Sequence, residues 1–225
     1  MINIIVATTL DNAIGYKGSL IHYDKNDLKR FKDLTTGTRV AMGRKTFESL
    51  PNGALPNREN IVVTRDKKYK AKGATVVHSL KDAVKDIDKD IFIIGGESIY
   101  KEALNTLPVD KIYITRFLFV PDNADTYFPT LSDEWILKTS ESHFTVYGNC
   151  CVEMYFQEYE KMVYPETYKQ INKVNELLND DTKEIVHITA NNNVPPEKIA
   201  QEIKNILTSE TEPFVDDPEH KYFKK

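Results

Sequence analysis

The sequence predicts an α/β protein with a mostly parallel central sheet and helices on both of its faces. Over residues 1–159, continuous apolar runs alternate with segments whose apolar residues have helical spacing. Such alternation is typical of strand–helix–strand crossovers between parallel strands. Residues 135–160 differ, because they contain two strand-like runs joined only by the short turn "YGN". Strands joined by a tight turn pair antiparallel, so we expect an antiparallel C-terminal edge.

The elements of the first part of the chain follow from these patterns. Residues 2–8 form an apolar run that predicts a buried first strand, and a loop with Gly15 and Gly18 follows. Residues 24–34 have helical spacing. The stripe that we expect to face the sheet consists of Leu28, Phe31 and Leu34. The basic residues that we expect elsewhere on this helix are Lys29, Arg30 and Lys32.

Short strands and helices continue the alternation. The strand "RVAMG" leads directly into the short helix "RKTFESL", and "ENIVVT" and "ATVVHS" are further strands. A helix in "SLKDAVKDI" begins after the N-cap residue Ser79. The buried strand "DIFIIGG" ends in two glycines before the helix "ESIYKEAL", and "DKIYITRFLFV" is a long strand.

The pattern changes after residue 160. We expect residues 1–160 to form the main α/β domain. Residues 161–208 carry helix, strand and helix signals, which predict a small extension. Self-association, attachment of a protein partner and packing over the sheet edge are the alternatives for its role. Residues 209–225 are charged and interrupted by prolines, which favours a flexible tail.

Composition and cysteine usage exclude several classes of protein. A net charge of −4 argues against a general nucleic-acid binder. The sequence has neither an apolar run long enough to span a membrane nor the basic start of a secretory signal. Cys150 and Cys151 are adjacent, so neither a disulfide between them nor a metal site is expected. We therefore expect a cytoplasmic protein without a membrane, nucleic-acid or metal partner.

A carboxylate on the apolar side of the first helix is the first candidate for chemistry. Asp27 lies in the first turn, where the helix dipole alone favours an acidic residue. It also shares the stripe of Leu28 and Phe31, where a lone carboxylate needs a partner or a function. Burial would raise the pKa of Asp27 and allow it to take up a proton near neutral pH. Helix capping is the alternative.

Two glycine-led helix starts indicate an anion site. In "GRKTFES" and "GGESIY", unpaired backbone N–H groups and the helix dipole favour a bound phosphate. A third strand, "ENIVVT", ends in the hydroxyl residue Thr64 and is followed by the cation Arg65. The two helix starts and this strand end together indicate a dinucleotide site. The spacing is not that of the G-x-G-x-x-G fingerprint, so an ordinary Rossmann fold is disfavoured. The residues concerned are Gly43, Arg44, Lys45, Thr46, Thr64, Arg65, Gly95 and Gly96.

An arginine in the loop "LPNREN" is a candidate for anion binding. Arg58 follows an extended proline turn, and its planar guanidinium is suited to a carboxylate. A solvent-exposed loop arginine is the alternative.

These segments, in this order, resemble the dihydrofolate reductase family. The resemblance rests on "IVATTLDNAIG", "DLKRFKDLT", "MGRKTFESL", "LPNRENIVVT", "IFIIGGESIY", "IYIT" and "YFP", spread over residues 1–159. It implies a single dihydrofolate-reductase-like domain. It also implies reduction of dihydrofolate to tetrahydrofolate, with a hydride from NADPH reaching C6 and a proton reaching N5, in support of one-carbon and thymidylate metabolism.

On the substrate side, the resemblance implies a role for each matching residue. Asp27 binds the pterin 2-amino group and N3 and promotes protonation of N5, with Thr115 supporting the carboxylate. Arg58 binds the α-carboxylate of the glutamate tail, and Tyr100 joins the catalytic set. The implied pocket walls are Ile5, Ala7, Leu28, Phe31, Leu50, Leu55, Ile94 and Tyr100.

On the cofactor side, the resemblance implies a nicotinamide site, a phosphate site and a cis peptide. The nicotinamide contacts are Ala7, Ile14 and Leu20, with Leu20 on a mobile loop. Thr64 and Arg65 lie beside the 2′-phosphate, and the charge at Arg44 and Arg65 favours NADPH over NADH. The remaining phosphate-site residues are Gly43, Lys45, Thr46, the cis-linked Gly95 and Gly96, Glu97, Ser98 and Ile99.

The sequence departs from the family before the first helix. The family has Pro-Trp there, and this chain has Ile21 and His22. The tryptophan packs the lid and donates an N–H toward the substrate through water. We expect His22 to take over this role, with an altered pH dependence because imidazole titrates near neutral pH. A solvent-exposed His22 without a role is the alternative.

Two other functions stay open at this point. A related enzyme that reduces another pterin or a pyrimidine would keep the phosphate junctions but not both Asp27 and Arg58. A binding or structural protein would keep the fold and act through the extension after residue 160.

Overall fold

Within the residues that the structure describes, the central sheet has eight strands, six of which are parallel neighbours. The computed structural model of the chain describes residues 1–85 and 89–162. The strands are β1 (Ile2–Thr9), β2 (Ala13–Tyr16), β3 (Ser19–Leu20), β4 (Arg39–Gly43), β5 (Glu59–Val63), β6 (Thr75–Val77), β7 (Ile91–Ile93), β8 (Lys111–Phe117), β9 (Thr126–Tyr127), β10 (Trp135–Tyr147) and β11 (Cys150–Lys161). The helices are α1 (Lys25–Thr35), α2 (Arg44–Glu48), α3 (Leu80–Ala83) and α4 (Glu97–Thr106).

The strand order confirms the predicted fold class. It runs β10-β11-β8-β1-β7-β4-β5-β6. The segment from β8 to β6 is parallel throughout, whereas β11 pairs antiparallel with both β8 and β10. The long hairpin of β10 and β11 is therefore the expected antiparallel edge.

Both faces of the parallel sheet are covered by apolar side chains. Along β1, Ile4 and Val6 belong to the apolar cluster that also contains residues of α3 and α4. Ile5 belongs to a second cluster, against which Phe31 and Leu34 of α1 pack. Because successive side chains of a strand point to opposite faces, one apolar strand supplies both clusters. This explains why the parallel strands are continuous apolar runs.

A small second sheet takes the place of the loop that we expected after β1. Strand β2 pairs with β3 in a hairpin and with β9 on its other side. The hairpin turn has positive φ at both Lys17 (48°) and Gly18 (79°), the geometry that two-residue hairpins favour. The strands are too short for an alternating pattern to be recognised in the sequence.

Helix α1 begins where expected, but its stripe is different. Asp24 is the N-cap residue, and its Oδ1 accepts hydrogen bonds from the backbone N–H groups of Asn26 and Asp27 at 2.8 and 2.9 Å. Leu28 is 43% exposed, so its expected burial is wrong. Arg30, which we expected elsewhere, instead donates to carbonyl oxygens of β8 and β11.

Other expectations are confirmed in part or lie outside the described residues. Ser79 is the N-cap residue of α3 as predicted, and the described part of that helix ends at Ala83. Cys150 and Cys151 are free and exposed. The predicted helices and strand of residues 161–208, and the predicted tail of residues 209–225, lie beyond the described residues. None of the four helices in the described ranges has the length and apolar character that a membrane crossing requires.

The capping residue of α1 provides a first test. We expect Asp24→Ala to lower the free energy of unfolding by about 1–2 kcal/mol, because two backbone N–H groups lose their acceptor. Oδ2 of Asp24 also accepts from the Thr145 hydroxyl at 2.8 Å. Denaturant unfolding measures the change, and Ser79→Ala, which removes the cap of the four-residue α3, is the control with a smaller expected loss. An Asp24→Ala variant as stable as the unmodified chain would refute this assignment.

Candidate active site

The carboxyl ends of the parallel strands open into one large cleft. Its volume is about 1330 Å³. Ligands of open α/β sheets bind in crevices at this edge. The strand ends β4, β5 and β7 and the N-terminus of α4 all contribute to it. The predicted site residues that line it are Ala7, Ile14, Leu20, Gly43, Arg44, Lys45, Thr46, Thr64, Arg65, Ile94, Gly96, Glu97, Ser98, Ile99 and Tyr100.

The floor of the cleft is built from three glycines in close contact. The peptide bond between Gly95 and Gly96 is cis, and the N–H of Gly43 donates to the carbonyl oxygen of Gly95 at 2.7 Å. A Cβ atom at Gly43 would lie 3.2 Å from Cγ1 of Ile99, and one at Gly96 would lie 3.3 Å from Oγ1 of Thr46. Any other residue would therefore fill the space in which the two helix starts approach each other.

Cationic and hydroxyl side chains surround this floor. Arg44, Lys45 and Thr46 form the start of α2, and Thr64 and Arg65 follow β5. The guanidinium of Arg44 lies 5.7 Å from the ring centroid of Tyr69, a contact that positions the cation at the cleft. This donor set matches the phosphate groups of a dinucleotide.

Sequence reasoning missed two residues of the same edge. His78 and Ser79 line the cleft directly after β6. Nδ1 of His78 lies 2.9 Å from the carbonyl oxygen of Thr64. Their position was visible in the sequence, because they end the parallel strand that neighbours β5 and so reach the same edge.

Asp27 is partly buried on the sheet-facing side of α1. Burial raises the pKa of the Asp27 carboxyl. The hydroxyl of Thr115 opposes this rise by hydrogen-bonding to the carboxylate, the Asp24 carboxylate adds to it, and the Arg30 cation lowers it. Thr115 on β8 is only 2% exposed. The carboxylate therefore lies between α1 and β8 with one side-chain donor.

Tyr100 connects Asp27 with the cleft. Its hydroxyl donates to the carbonyl oxygen of Ile5 at 2.9 Å, and its ring lines the cleft. Burial, and secondarily the Asp27 carboxylate, raises the pKa of Tyr100. Asp27 is thus close enough to act electrostatically on a residue of the cleft wall.

Most of the expected substrate-side walls belong to one apolar cluster. Its members among the predicted residues are Ile5, Phe31, Leu50, Leu55 and Ile94. Ala7 packs against the neighbouring cluster around Phe117, and Leu28 is exposed beside Asp27. Because Ala7 and Ile94 also line the large cleft, the substrate-side wall continues into it.

Arg58 lies at the outer end of this wall. Its guanidinium is 5.7 Å from the ring centroid of Phe31. Nη1 donates to the hydroxyl of Thr35 at 3.0 Å, and Nε donates to the carbonyl oxygen of Pro56 at 3.0 Å. These bonds fix the plane of the guanidinium beside an aromatic ring, an arrangement suited to a planar carboxylate.

His22 lies in an aromatic cluster rather than at the cleft wall. Its ring makes edge contacts with Phe117, Phe119 and Tyr147 at centroid distances of 4.9, 5.5 and 6.1 Å. Nε2 lies 2.9 Å from Oγ1 of Thr145, whose hydroxyl donates to Asp24. Nε2 of His22 is therefore the donor of this pair. Burial lowers the pKa of His22, and the Asp24 carboxylate partly offsets this.

Comparison with known proteins identifies the family. The family model "Dihydrofolate reductase" matches residues 1–161. The chain belongs to the dihydrofolate reductase family. A dihydrofolate reductase from Staphylococcus aureus is 37% identical over 140 residues, which cover 62% of this chain and 85% of that protein. One from Mycobacterium leprae is 34% identical over 145 residues, which cover 63% of this chain and 88% of the relative.

A solved structure has the same fold. It is a dihydrofolate reductase from Enterococcus faecalis complexed with NADP(H) and RAB-propyl, with a TM-score of 0.64 and 30% identity, and the match covers 72% of this chain and 96% of that one. As a dihydrofolate reductase, the chain is an NADPH-dependent enzyme. The three glycines of the cleft floor and the cationic side chains around them are the parts of the cleft that fit this cofactor.

The partly buried imidazole of His22 predicts a pH-dependent stability. Because the folded state favours neutral His22, the stabilisation is complete above the unfolded-state pKa of about 6.5 and decreases as the pH falls below it. We expect His22→Gln, which keeps an N–H donor for Thr145, to lose less stability than the unmodified chain between pH 8 and pH 5. Thermal unfolding at both pH values measures the difference, and equal losses in the two proteins would contradict the prediction.

Proposed function

We propose that this enzyme reduces 7,8-dihydrofolate to 5,6,7,8-tetrahydrofolate with NADPH, and that Asp27 promotes protonation of N5 of the pterin. The observation that carries the proposal is the position of the Asp27 carboxylate. It is partly buried, bonded to Thr115, and electrostatically coupled to Tyr100 at the cleft wall. A carboxylate in this position has few protein donors and is available to a substrate with several N–H groups.

The substrate-side residues divide into polar ends and an apolar middle. Asp27 accepts hydrogen bonds from the 2-amino group and N3 of the pterin at one end. Arg58 binds the α-carboxylate of the glutamate tail at the other end, since Phe31, Thr35 and Pro56 fix its guanidinium. The ring between them lies against Ile5, Phe31, Leu50, Leu55 and Ile94, and the exposed Leu28 is covered when substrate binds.

On the cofactor side, the chain supplies phosphate donors and a nicotinamide wall. Arg44, Lys45 and Thr46 bind phosphate at the start of α2, and Gly96, Glu97, Ser98 and Ile99 present the start of α4 to the pyrophosphate. Thr64 and Arg65 lie beside the 2′-phosphate, which favours NADPH over NADH. Bound NADPH supplies the hydride. Ala7, Ile14 and Leu20 hold the ring against the pterin side of the cleft.

The protonation role follows from the pKa of Asp27. Burial raises this pKa, so the group exchanges protons closer to neutral pH than an exposed aspartate does. The protonated carboxyl gives up its proton toward N5, directly or through water, and the resulting carboxylate accepts hydrogen bonds from the 2-amino group and N3. We therefore expect hydride transfer to slow as the pH rises through the pKa of Asp27.

His22 has a narrower role in this proposal than the sequence suggested. Its Nε2 is bonded to Thr145 within the protein, so we assign it to packing of the segment that follows Leu20. Leu20 is 49% exposed and lines the cleft, as expected of a residue that closes over the nicotinamide. The edge contacts of His22 with Phe117 and Phe119 anchor the end of this segment.

The setting of the activity is also part of the proposal. The product supports one-carbon and thymidylate metabolism, and the free thiols of Cys150 and Cys151 suit the reducing cytoplasm. We assign self-association or binding of a protein partner to residues 161–225.

Replacement of the carboxylate tests the proposed chemistry. We expect Asp27→Asn to lower kcat/KM for dihydrofolate by at least about a hundredfold, because the amide cannot supply the acid–base function. NADPH affinity is expected to be unchanged. Asp33→Asn, on the exposed side of the same helix with a side chain 57% exposed, is the matched control. NADPH oxidation by the Asp27→Asn variant at the rate of the control would refute the role of Asp27.

The same variant gives an independent stability readout. A carboxyl whose folded-state pKa is raised destabilises the folded protein as the pH rises from its unfolded pKa of about 3.9 through the folded value. Asp27→Asn is therefore expected to raise Tm at pH 8, which separates loss of activity from loss of folding.

A shortened chain tests the domain assignment. Met1–Met162 form one compact unit, and the N–H of Met162 donates to the carbonyl oxygen of Glu134 at 2.7 Å, which closes the edge of the hairpin. We expect a chain ending at Met162 to fold and to keep kcat within about twofold, since no residue assigned to the site lies beyond it. Loss of turnover in a folded shortened chain would instead support a function exerted through residues 163–225.

A further inference from the structure

We propose that Arg30 is a positioning residue that directs the Thr115 hydroxyl onto the Asp27 carboxylate from the side opposite the substrate. This inference rests on the proposed role of Asp27. It gives a function to a cation that sequence periodicity had placed away from the sheet.

The guanidinium of Arg30 spans the seam between β8 and β11. Nη1 donates to the carbonyl oxygen of Ile114 at 3.1 Å and to Oγ1 of Thr115 at 3.4 Å. Nη2 donates to the carbonyl oxygen of Gln157 at 3.2 Å. Since Gln157 pairs with Ile114 across the two strands, one side chain connects helix α1 with both strands.

Aromatic rings hold the same cation in place. The central carbon of the guanidinium lies 4.6 Å from the ring centroid of Phe156 and 5.9 Å from that of Tyr113. Contacts of this kind stabilise a partly buried cation and fix its plane. Arg30 is therefore held by two carbonyl oxygens, a hydroxyl and two rings rather than extending into solvent.

The direction of the hydrogen bonds makes Thr115 a relay. A guanidinium only donates, so Oγ1 of Thr115 must accept from Arg30. The single hydroxyl proton of Thr115 is then available to Asp27, with which this hydroxyl is hydrogen-bonded. Arg30 and Asp27 are three residues apart on α1 and lie on neighbouring positions of one helix face. The helix thus carries both the carboxylate and the group that orients its donor.

The titratable groups around this pair come from five elements. On α1 and its cap, Asp24 and Arg30 face Asp27, and on α4 Tyr100 is coupled to it. Arg30 in turn faces Glu158 on β11, Asp27, Tyr113 on β8 and Glu141 on β10. Arg30 is the cation that counteracts the effects of burial and of Asp24 on the pKa of Asp27.

The test measures the titration of Asp27 itself in the full-length protein. The ¹³Cγ resonance of Asp27, assigned by its loss in Asp27→Asn, is followed against pH in the unmodified chain and in Arg30→Met. We expect the midpoint of Arg30→Met to lie at higher pH. Lys29→Met is the matched control, since Lys29 is on the same helix with a side chain 77% exposed, and its midpoint is expected to stay at the unmodified value.

A second pair of variants separates the relay from the charge. Arg30→Lys keeps the cation but loses the planar fork, and we expect a smaller shift in the same direction. In a Thr115→Ala background, Arg30→Lys is expected to produce no shift, because the relay is already broken. If Arg30→Met does not fold, Arg30→Lys, alone and in the Thr115→Ala background, provides the test instead.

The pH dependence of hydride transfer is expected to shift in the same direction as the titration of Asp27. If protonated Asp27 promotes transfer, Arg30→Met is expected to move the pH at which the single-turnover hydride-transfer rate falls upward, together with the midpoint of Asp27, whereas Lys29→Met leaves it in place. Unchanged midpoints in Arg30→Met and Arg30→Lys would overturn the inference and assign Arg30 to packing alone. Absence of turnover in the unmodified chain would refute the proposed function instead, while the titration of Asp27 would still test Arg30.

Discussion

The site depends on one carboxylate that helix α1 holds against strand β8. Burial raises the pKa of Asp27, and the Thr115 hydroxyl and the Arg30 cation counteract part of that rise. A partly buried carboxylate destabilises the fold at this position, where an apolar residue would stabilise it. Perturbed carboxyl groups of this kind concentrate at sites where a substrate completes the hydrogen bonding.

The parallel sheet forms the cleft proposed for the cofactor, and Tyr100 in the wall of this cleft is electrostatically coupled to Asp27. Its strands end at one edge, so the start of α2, the segment after β5 and the start of α4 converge on a single cleft. Tyr100 and Ile94 belong to the wall between this cleft and the side of Asp27. The contact of Gly43 with Gly95 shows how closely the backbone is packed where we propose that the dinucleotide binds.

The sequence predicted the features that local patterns specify. Apolar runs predicted the parallel strands, and the glycine-led helix starts predicted residues that line one side of the cleft. Asp27 was singled out because it shares a predicted apolar stripe with Leu28 and Phe31, although Leu28 is exposed in the structure. Arg30 was misplaced because helical periodicity treats an arginine as exposed, whereas its long side chain reaches carbonyl oxygens and aromatic rings of β8 and β11. The partner of His22, Thr145, lies 123 residues away, and no local pattern reveals such a pairing.

The most direct test of the account is a crystal structure of the full chain with NADP⁺ and folate bound. The quantity to measure is the distance from the carboxylate oxygens of Asp27 to N3 and the 2-amino nitrogen of the pterin. The account predicts two hydrogen bonds of about 2.7–3.2 Å, with the nicotinamide ring stacked along the other side of the pterin near Ala7. A pterin bound with its polar edge turned away from Asp27 would contradict it.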